Sequence, residues 1–124
     1  MSKFRKKVLE VVAEIPYGKV ASYGQVSLVA GVAMGARQVG YILHVYGRTY
    51  PWWRVINNAG RLSTTFLDHA DKSQKDRLIE EGISVDKNLQ LDIEKYRWRP
   101  NPETLKKLQL DDEYIEKVME KYFS

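Results

Sequence analysis

Apolar residues in the N-terminal part of the chain recur at helical spacing. Over residues 3–15 they share one face of a predicted amphipathic helix, opposite a charged face: Phe4, Val8, Val11, Val12 and Ile15. Pro16 ends this helix because the residue before a proline disfavours helical backbone. The first predicted element is therefore a helix that packs one face against a core.

Two shorter helices are predicted next, joined by a turn between Gly31 and Gly35. Ser22 and Gln25 have the spacing of a capping box, in which each side chain satisfies an open backbone N–H, so the second helix begins at Ser22. Gly31 can end it in a left-handed turn. The third helix runs over about 35–46, with an outer face that carries Arg37, Gln38, Tyr41 and His44. The pair matches a helix-turn-helix, although many small domains contain short helix pairs.

Shorter elements follow residue 50. Residues 57–60, Asn-Asn-Ala-Gly, predict a tight turn between extended pieces. A polar loop follows, and then Asp68 is predicted to cap a helix from His69 to Glu81. Apolar alternation over 83–93 predicts a small hairpin, or wing.

The chain has 124 residues, which fits one domain with one modest core. The pattern predicts a mainly α fold with small β elements.

Composition excludes several classes of protein. The sequence has no cysteine, which excludes disulfides, thiolate metal sites and a cysteine nucleophile. With only His44 and His69, no metal site is expected, and no cofactor is predicted. The sequence contains no apolar run long enough to span a bilayer, so no membrane association is expected.

Charge and the N-terminal residues indicate little more about partners or location. A net charge of +4 favours nucleic acid only slightly, since many basic globular proteins bind nothing anionic. The basic residues 1–7 lead into an amphipathic helix and not into a signal-peptide core. The protein is therefore expected in the cytoplasm with the nucleoid if it is prokaryotic, and in the nucleus if it is eukaryotic.

The stretch Tyr50–Val55, Tyr-Pro-Trp-Trp-Arg-Val, contains two adjacent tryptophans. Buried aromatic residues are mostly structural, so these six residues alone favour a piece of core. The alternative is the floor of a pocket that stacks on a flat ligand. The hexapeptide leaves both interpretations open.

Four stretches of the sequence, taken together, are similar to the DNA-binding half of the alkylguanine-DNA alkyltransferases. Order and spacing agree over roughly residues 4–83. The stretches are Ile15–Val26 (IPYGKVASYGQV), Gly35–Gly40 (GARQVG), Pro51–Ile56 (PWWRVI) and Glu80–Ile83 (EEGI). The resemblance implies a winged-helix-like helix-turn-helix DNA-binding domain of the alkyltransferase type over residues 1–100. It leaves residues 101–124 as a C-terminal helical extension for which it indicates no role.

The chain departs from those enzymes at the reacting residues. Trp52 stands at the place of the nucleophilic cysteine and Trp53 at the place of the histidine that activates it, while Glu81 keeps the place of the glutamate and is expected to have nothing to orient. Indole nitrogen is only a donor, so it cannot accept an alkyl group. The pattern resembles the alkyltransferase-like proteins, many of which carry Pro-Trp-His-Arg where this chain has Pro-Trp-Trp-Arg.

The resemblance assigns roles to individual residues. Tyr23 would crowd the phosphate beside a base flipped out through the minor groove, with Ser22 next to it, and Arg37 would fill the gap in the duplex. Gly35 and Ala36 would let the third helix approach the groove closely. The lesion pocket would be formed by Tyr50, Pro51, Trp52, Trp53, Arg54 and Val55, with residues 61–66 as a further wall and Trp52 as the expected contact to the base.

The function implied is a lesion sensor and not a repair enzyme. A monomer would bind double-stranded DNA containing alkylated guanine and pass the site to nucleotide excision repair proteins. One alternative is a regulator that reads sequence in the major groove, which Gly35 and Ala36 disfavour because they offer no base-reading side chains. Others are a base-flipping glycosylase that uses Glu81 or Asp68 to activate water, and a module that docks a partner through residues 101–124.

Overall fold

The computed structural model describes residues 2–62 and 73–123. Within those ranges short helices predominate, which confirms the mainly α prediction. The helices are α1 (Lys3–Glu14), α2 (Tyr23–Val29), α3 (Ala36–Tyr46), α4 (Gln74–Glu80), α5 (Ile93–Tyr96), α6 (Pro102–Lys107) and α7 (Asp112–Val118), with a 3₁₀ turn over Trp52–Arg54 and a π-helical turn over Met119–Phe123. The strands are β1 (Ala21–Ser22) and β2 (Val55–Ile56). No helix in the described ranges is long and apolar enough to cross a membrane.

The N-terminal helices confirm what the hydrophobic spacing and caps predict. α1 ends at Glu14, and α2 begins directly after Ser22, whose Oγ accepts the backbone N–H of Gln25 at 3.0 Å. Gly31 follows α2 with a φ of +100°, a left-handed conformation that glycine adopts without strain. The prediction that the Gln25 side chain completes the capping box is wrong, because this side chain donates to the carbonyl of Trp98 at 2.8 Å.

The two strands pair in parallel, with Ala21 opposite Val55 and Ser22 opposite Ile56. The residue before β1 forms a further parallel bridge with Arg97. β1 leads directly into α2, and β2 follows directly on the 3₁₀ turn that carries the two tryptophans. The short sheet therefore places the start of the helix-turn-helix beside the tryptophan turn.

The hairpin predicted over residues 83–93 is not formed as two paired strands. Residues 89–91 instead pair with residues 60–62 through backbone hydrogen bonds of 2.9 Å. The carboxylate of Asp86 accepts the N–H groups of residues 88 and 90 and closes a turn, in which Leu89 has a φ of +59°. The alternation marks extended backbone correctly, but the pairing partner lies elsewhere in the chain.

The helix predicted from His69 to Glu81 is observed over a shorter range, Gln74–Glu80. α4 begins at Gln74, and Ser73 is its N-cap, because its Oγ accepts the backbone N–H of Asp76 at 3.2 Å. Asp68 and the residues up to 72 lie outside the described part of the chain, as does the loop predicted before them.

The C-terminal extension packs into the main core. Its apolar residues are buried in the same cluster as the inner faces of α1, α2 and α3: Leu105, Leu108, Ile115 and Val118. Tyr114 Oη donates to the carbonyl of Leu28 near the end of α2, and Tyr122 Oη lies close to Gly24 in its first turn. The last helical segment therefore runs antiparallel to α2 and covers it.

Candidate nucleic-acid interface

The outer face of α3 and the start of α2 border a cavity of about 450 Å³. It is lined by Tyr23, Ala36 and Arg37, to which the resemblance assigns roles, and by Arg61 and Leu62 from the predicted wall over residues 61–66. The other described lining residues are Gly40 and Asn57. Ala36 and Arg37 are exposed on the first turn of α3. The helix-turn-helix thus presents a cationic side chain, that of Arg37, in the lining of a concave site.

The phenol of Tyr23 is suited to donate a hydrogen bond. Burial raises the pKa of Tyr23 to about 12, so the hydroxyl stays protonated even near pH 10, where an exposed tyrosine titrates. A protonated phenol can approach a phosphate without charge repulsion. Gly40 faces the ring, and a Cβ there would lie 3.9 Å from Tyr23 Cε1 and would narrow the cavity.

Ser22 and Gly35 are both buried and make hydrogen bonds within the protein. Ser22 is fully buried, and its Oγ caps α2. Gly35 is buried too, and its N–H donates to Ser27 Oγ at 2.8 Å. A Cβ at Gly35 would lie 2.6 Å from Ser27 Oγ and 3.0 Å from Phe4 Cζ. Packing of the turn therefore requires glycine here, and close approach to DNA stays a prediction.

The two adjacent tryptophans have different environments. Trp52 is 1% exposed and belongs to the main core cluster, whereas Trp53 is half-buried and lies between the two core clusters. Their rings meet edge to face, with centroids 5.9 Å apart and an interplanar angle of 89°. A base could reach Trp53 more readily than Trp52, the contact expected from the sequence.

The other residues predicted for the lesion pocket lie around these rings. Val55 is fully buried in the sheet, while Tyr50 and Pro51 are partly buried. The described lining of the cavity beside Arg37 includes none of the six predicted pocket residues. The structure therefore brings Tyr23 and Arg37 together at one site. The tryptophan turn lies outside the described lining of that site and is connected to β1 through the pairing of β2.

Glu81 has several hydrogen-bond partners, so the expectation that it has nothing to orient is wrong. Its carboxylate accepts the indole N–H of Trp53 at 2.6 Å and the backbone N–H of Gly18 at 2.7 Å. Arg54 donates to it through Nε at 3.0 Å and through Nη2 at 2.8 Å, and donates through Nη1 to the carbonyl of Ile15 at 2.8 Å. The carboxylate thus ties three chain segments together.

The environment of Glu81 favours its charged form. Burial acts to raise the pKa of Glu81, but hydrogen bonds from Arg54, Gly18 and Trp53, with the charge of Arg54, hold that pKa below its ordinary value. The carboxylate is therefore ionised at neutral pH and occupied by donors. It is poorly suited to activate water as a glycosylase base.

Sequence reasoning missed two further residues of α4 that contact the tryptophan turn. Gln74 donates to the carbonyls of Val55 at 2.9 Å and Trp53 at 3.2 Å. The guanidinium of Arg77 lies over the Trp53 ring, 4.7 Å from its centroid. Residues 74, 77 and 81 recur at helical spacing and so share one face of α4. That spacing could have indicated that the face packs on the tryptophans.

Comparison with known protein families accounts for this arrangement. Residues 3–83 match the model of the 6-O-methylguanine DNA methyltransferase DNA binding domain. Alkyltransferase-like protein 1 of Schizosaccharomyces pombe is 40% identical over 106 residues, which cover 81% of this chain and 98% of that protein. The chain belongs to the alkyltransferase-like proteins. Within the described ranges of this alkyltransferase-like chain, no group of three or more histidine and carboxylate side chains could hold a metal ion.

Other relatives of the alkyltransferase-like chain agree in name and in structure. The DNA base-flipping protein of Escherichia coli K12 is 41% identical over 97 residues, covering 77% of this chain and 74% of the relative. The crystal structure of S. pombe Atl1 in complex with damaged DNA containing O6-carboxymethylguanine has a TM-score of 0.72 with this chain, at 40% identity. It covers 81% of this chain and 98% of Atl1, so the match extends well beyond the helix-turn-helix.

Proposed function

We propose that this alkyltransferase-like chain binds double-stranded DNA containing O6-alkylguanine through the minor groove and flips the damaged base without repairing it. The observation that carries the proposal is the cavity between Tyr23 and Arg37, in a family whose members include proteins named for base flipping. Tryptophans stand where the resemblance places the nucleophile and its activating base, and the chain has no cysteine. The site can therefore hold an alkylated base but has no thiolate to accept the alkyl group.

The cavity has the size and chemistry that a flipped base needs. Its volume of about 450 Å³ lies within the range of ordinary small-molecule sites. Asn57 offers an amide, and Leu62 an apolar contact. Extruding a base costs a few kcal/mol, and least for a badly paired base such as an alkylated guanine, so the lesion itself reduces the cost of entry.

The proposal also includes recruitment of repair proteins to the marked lesion. A protein that marks a lesion but has no chemistry to remove it needs a partner, and we infer that nucleotide excision repair proteins receive the site. A single DNA-reading module carries the proposed finger, the tyrosine and the cavity, which supports action as a monomer. A sequence-reading regulator is less well supported, because Ala36, at the start of α3, offers no hydrogen-bonding side chain.

Lesion preference is the direct test of the proposed function. A duplex with one O6-methylguanine should bind at least about tenfold more tightly than its unmodified twin, because the lesion lowers the cost of extrusion. Fluorescence anisotropy at moderate salt measures both affinities. Mass spectrometry of the protein after incubation should show no added methyl group. Equal affinities, or a methylated protein, would contradict the proposal.

Arg37 is expected to contribute most to lesion binding among the exposed residues of α3. Arg37→Ala should weaken binding to the lesion duplex by about tenfold or more, because the space left by the flipped base would then be unfilled. Arg48→Ala serves as a matched control, since Arg48 is also exposed but lies outside the cavity lining. Equal losses in the two variants would show that Arg37 contributes only positive charge.

A further inference from the structure

A second concave surface lies on the other flank of α3. A groove of about 550 Å³ between α1 and α3 is lined by Phe4, Arg5, Tyr41 and Tyr46, and also by Arg37. Arg37 therefore borders both this groove and the cavity beside Tyr23. The two tyrosines of the groove are 59% and 42% exposed, so their rings are available to a ligand.

The groove combines aromatic surface with positive charge. The guanidinium of Arg5 lies over the Tyr46 ring, 4.1 Å from its centroid. Among the described residues, no carboxylate lines the groove. Arginine recognises phosphate through charge-assisted hydrogen bonds, and aromatic rings can pack against the apolar faces of deoxyribose. The chemistry favours a sugar–phosphate backbone over a neutral peptide.

If the proposed function holds, the width of the minor groove indicates which DNA strand contacts the groove between α1 and α3. A helix is roughly 10–12 Å across and the minor groove of B-DNA only about 6 Å wide, so a helix in that groove has one strand against each flank. The proposed function places the lesion strand on the Tyr23 flank. We infer that the groove between α1 and α3 holds the sugar–phosphate backbone of the strand opposite the lesion, with Arg5 as its phosphate contact. This contact is independent of sequence and of damage.

The test compares Arg5→Gln with wild type on duplex and single-stranded DNA. The variant should bind a lesion duplex and an undamaged duplex about tenfold more weakly, by the same factor, because one charged hydrogen bond is lost from each. The slope of log K against log salt should fall by about 0.9. On a single strand carrying O6-methylguanine the two proteins should bind equally, since the opposite strand is absent.

Lys6→Gln is the matched control. Lys6 is one residue away on α1, is exposed, and borders a different surface, with Lys3, Glu10 and Gln109. It should leave duplex affinity nearly unchanged. Uncharged methylphosphonate linkages placed only in the undamaged strand should weaken wild-type binding and abolish the difference between wild type and Arg5→Gln.

Three results would overturn the inference: no loss on duplex DNA, an equal loss on single-stranded DNA, or a persistent difference on the neutralised strand. An equal loss on the single strand would mean that Arg5 stabilises the fold or contacts the lesion strand. A different result would contradict the proposed function: equal affinities of wild type for damaged and undamaged duplexes. The two failures can be distinguished, because the comparison of Arg5→Gln with wild type on undamaged DNA does not depend on lesion preference.

Discussion

Replacing Leu105 with alanine is expected to lower the free energy of unfolding by about 2–5 kcal/mol. Leu105 is fully buried in the main cluster, which also contains the inner faces of α1, α2 and α3. Truncation removes apolar contacts and leaves a cavity that the surrounding helices fill only in part. Urea denaturation followed by circular dichroism measures the change.

Glu103→Ala provides the control for Leu105 on the same helix. Glu103 is exposed in the first turn of α6, so its loss should change the free energy of unfolding by no more than about 1 kcal/mol. If Leu105→Ala unfolded at the same urea concentration as wild type, the C-terminal extension would not contribute to the core as the structure shows.

Replacing Glu81 with alanine is expected to cost about 3–5 kcal/mol of stability, because the buried charge of Arg54 loses its partner. The side chains of Glu81 and Arg54 are only 5% and 13% exposed, so solvent replaces little of the lost interaction. Trp53 also loses the acceptor for its indole N–H. Glu81→Gln should cost less, since the amide oxygen can still accept one of these hydrogen bonds.

The pH dependence of unfolding gives a second measurement on Glu81. Its folded-state pKa is lowered, so its contribution is fully present above the unfolded value of about 4.3 and is lost as pH falls through the folded value. Wild type should therefore lose more stability than Glu81→Gln as pH falls below about 4.3. Parallel pH profiles in the two proteins would contradict the assignment.

Local rules predicted much of the fold. Ser22 and Gly31 bound α2 because capping and left-handed turns depend on a few neighbouring residues. The hairpin over residues 83–93 was wrong because alternation indicates extended backbone but not its partner, which here is residues 60–62. Long-range pairing depends on tertiary structure, and no local pattern encodes it.

The same limit explains the errors at the candidate site. The Arg97 side chain is only 4% exposed, and it donates to Gln25 Oε1 at 2.9 Å and to Asn58 Oδ1 at 3.1 Å, contacts between residues far apart in the chain that no local pattern indicates. The resemblance named Tyr23 and Arg37, which the structure places at one cavity. It assigned Glu81 no partner, because only the fold brings Trp53 within hydrogen-bonding distance of it.

The hydrogen bond from the Trp53 indole to the Glu81 carboxylate also changes what the structure requires of position 53. A histidine at that place in the alkyltransferases must transfer a proton, which requires a titratable ring. Once the thiol is absent, the carboxylate requires from position 53 only an N–H donor on a flat ring, and tryptophan supplies both. A tryptophan in place of the histidine is therefore compatible with the hydrogen bond that joins position 53 to Glu81.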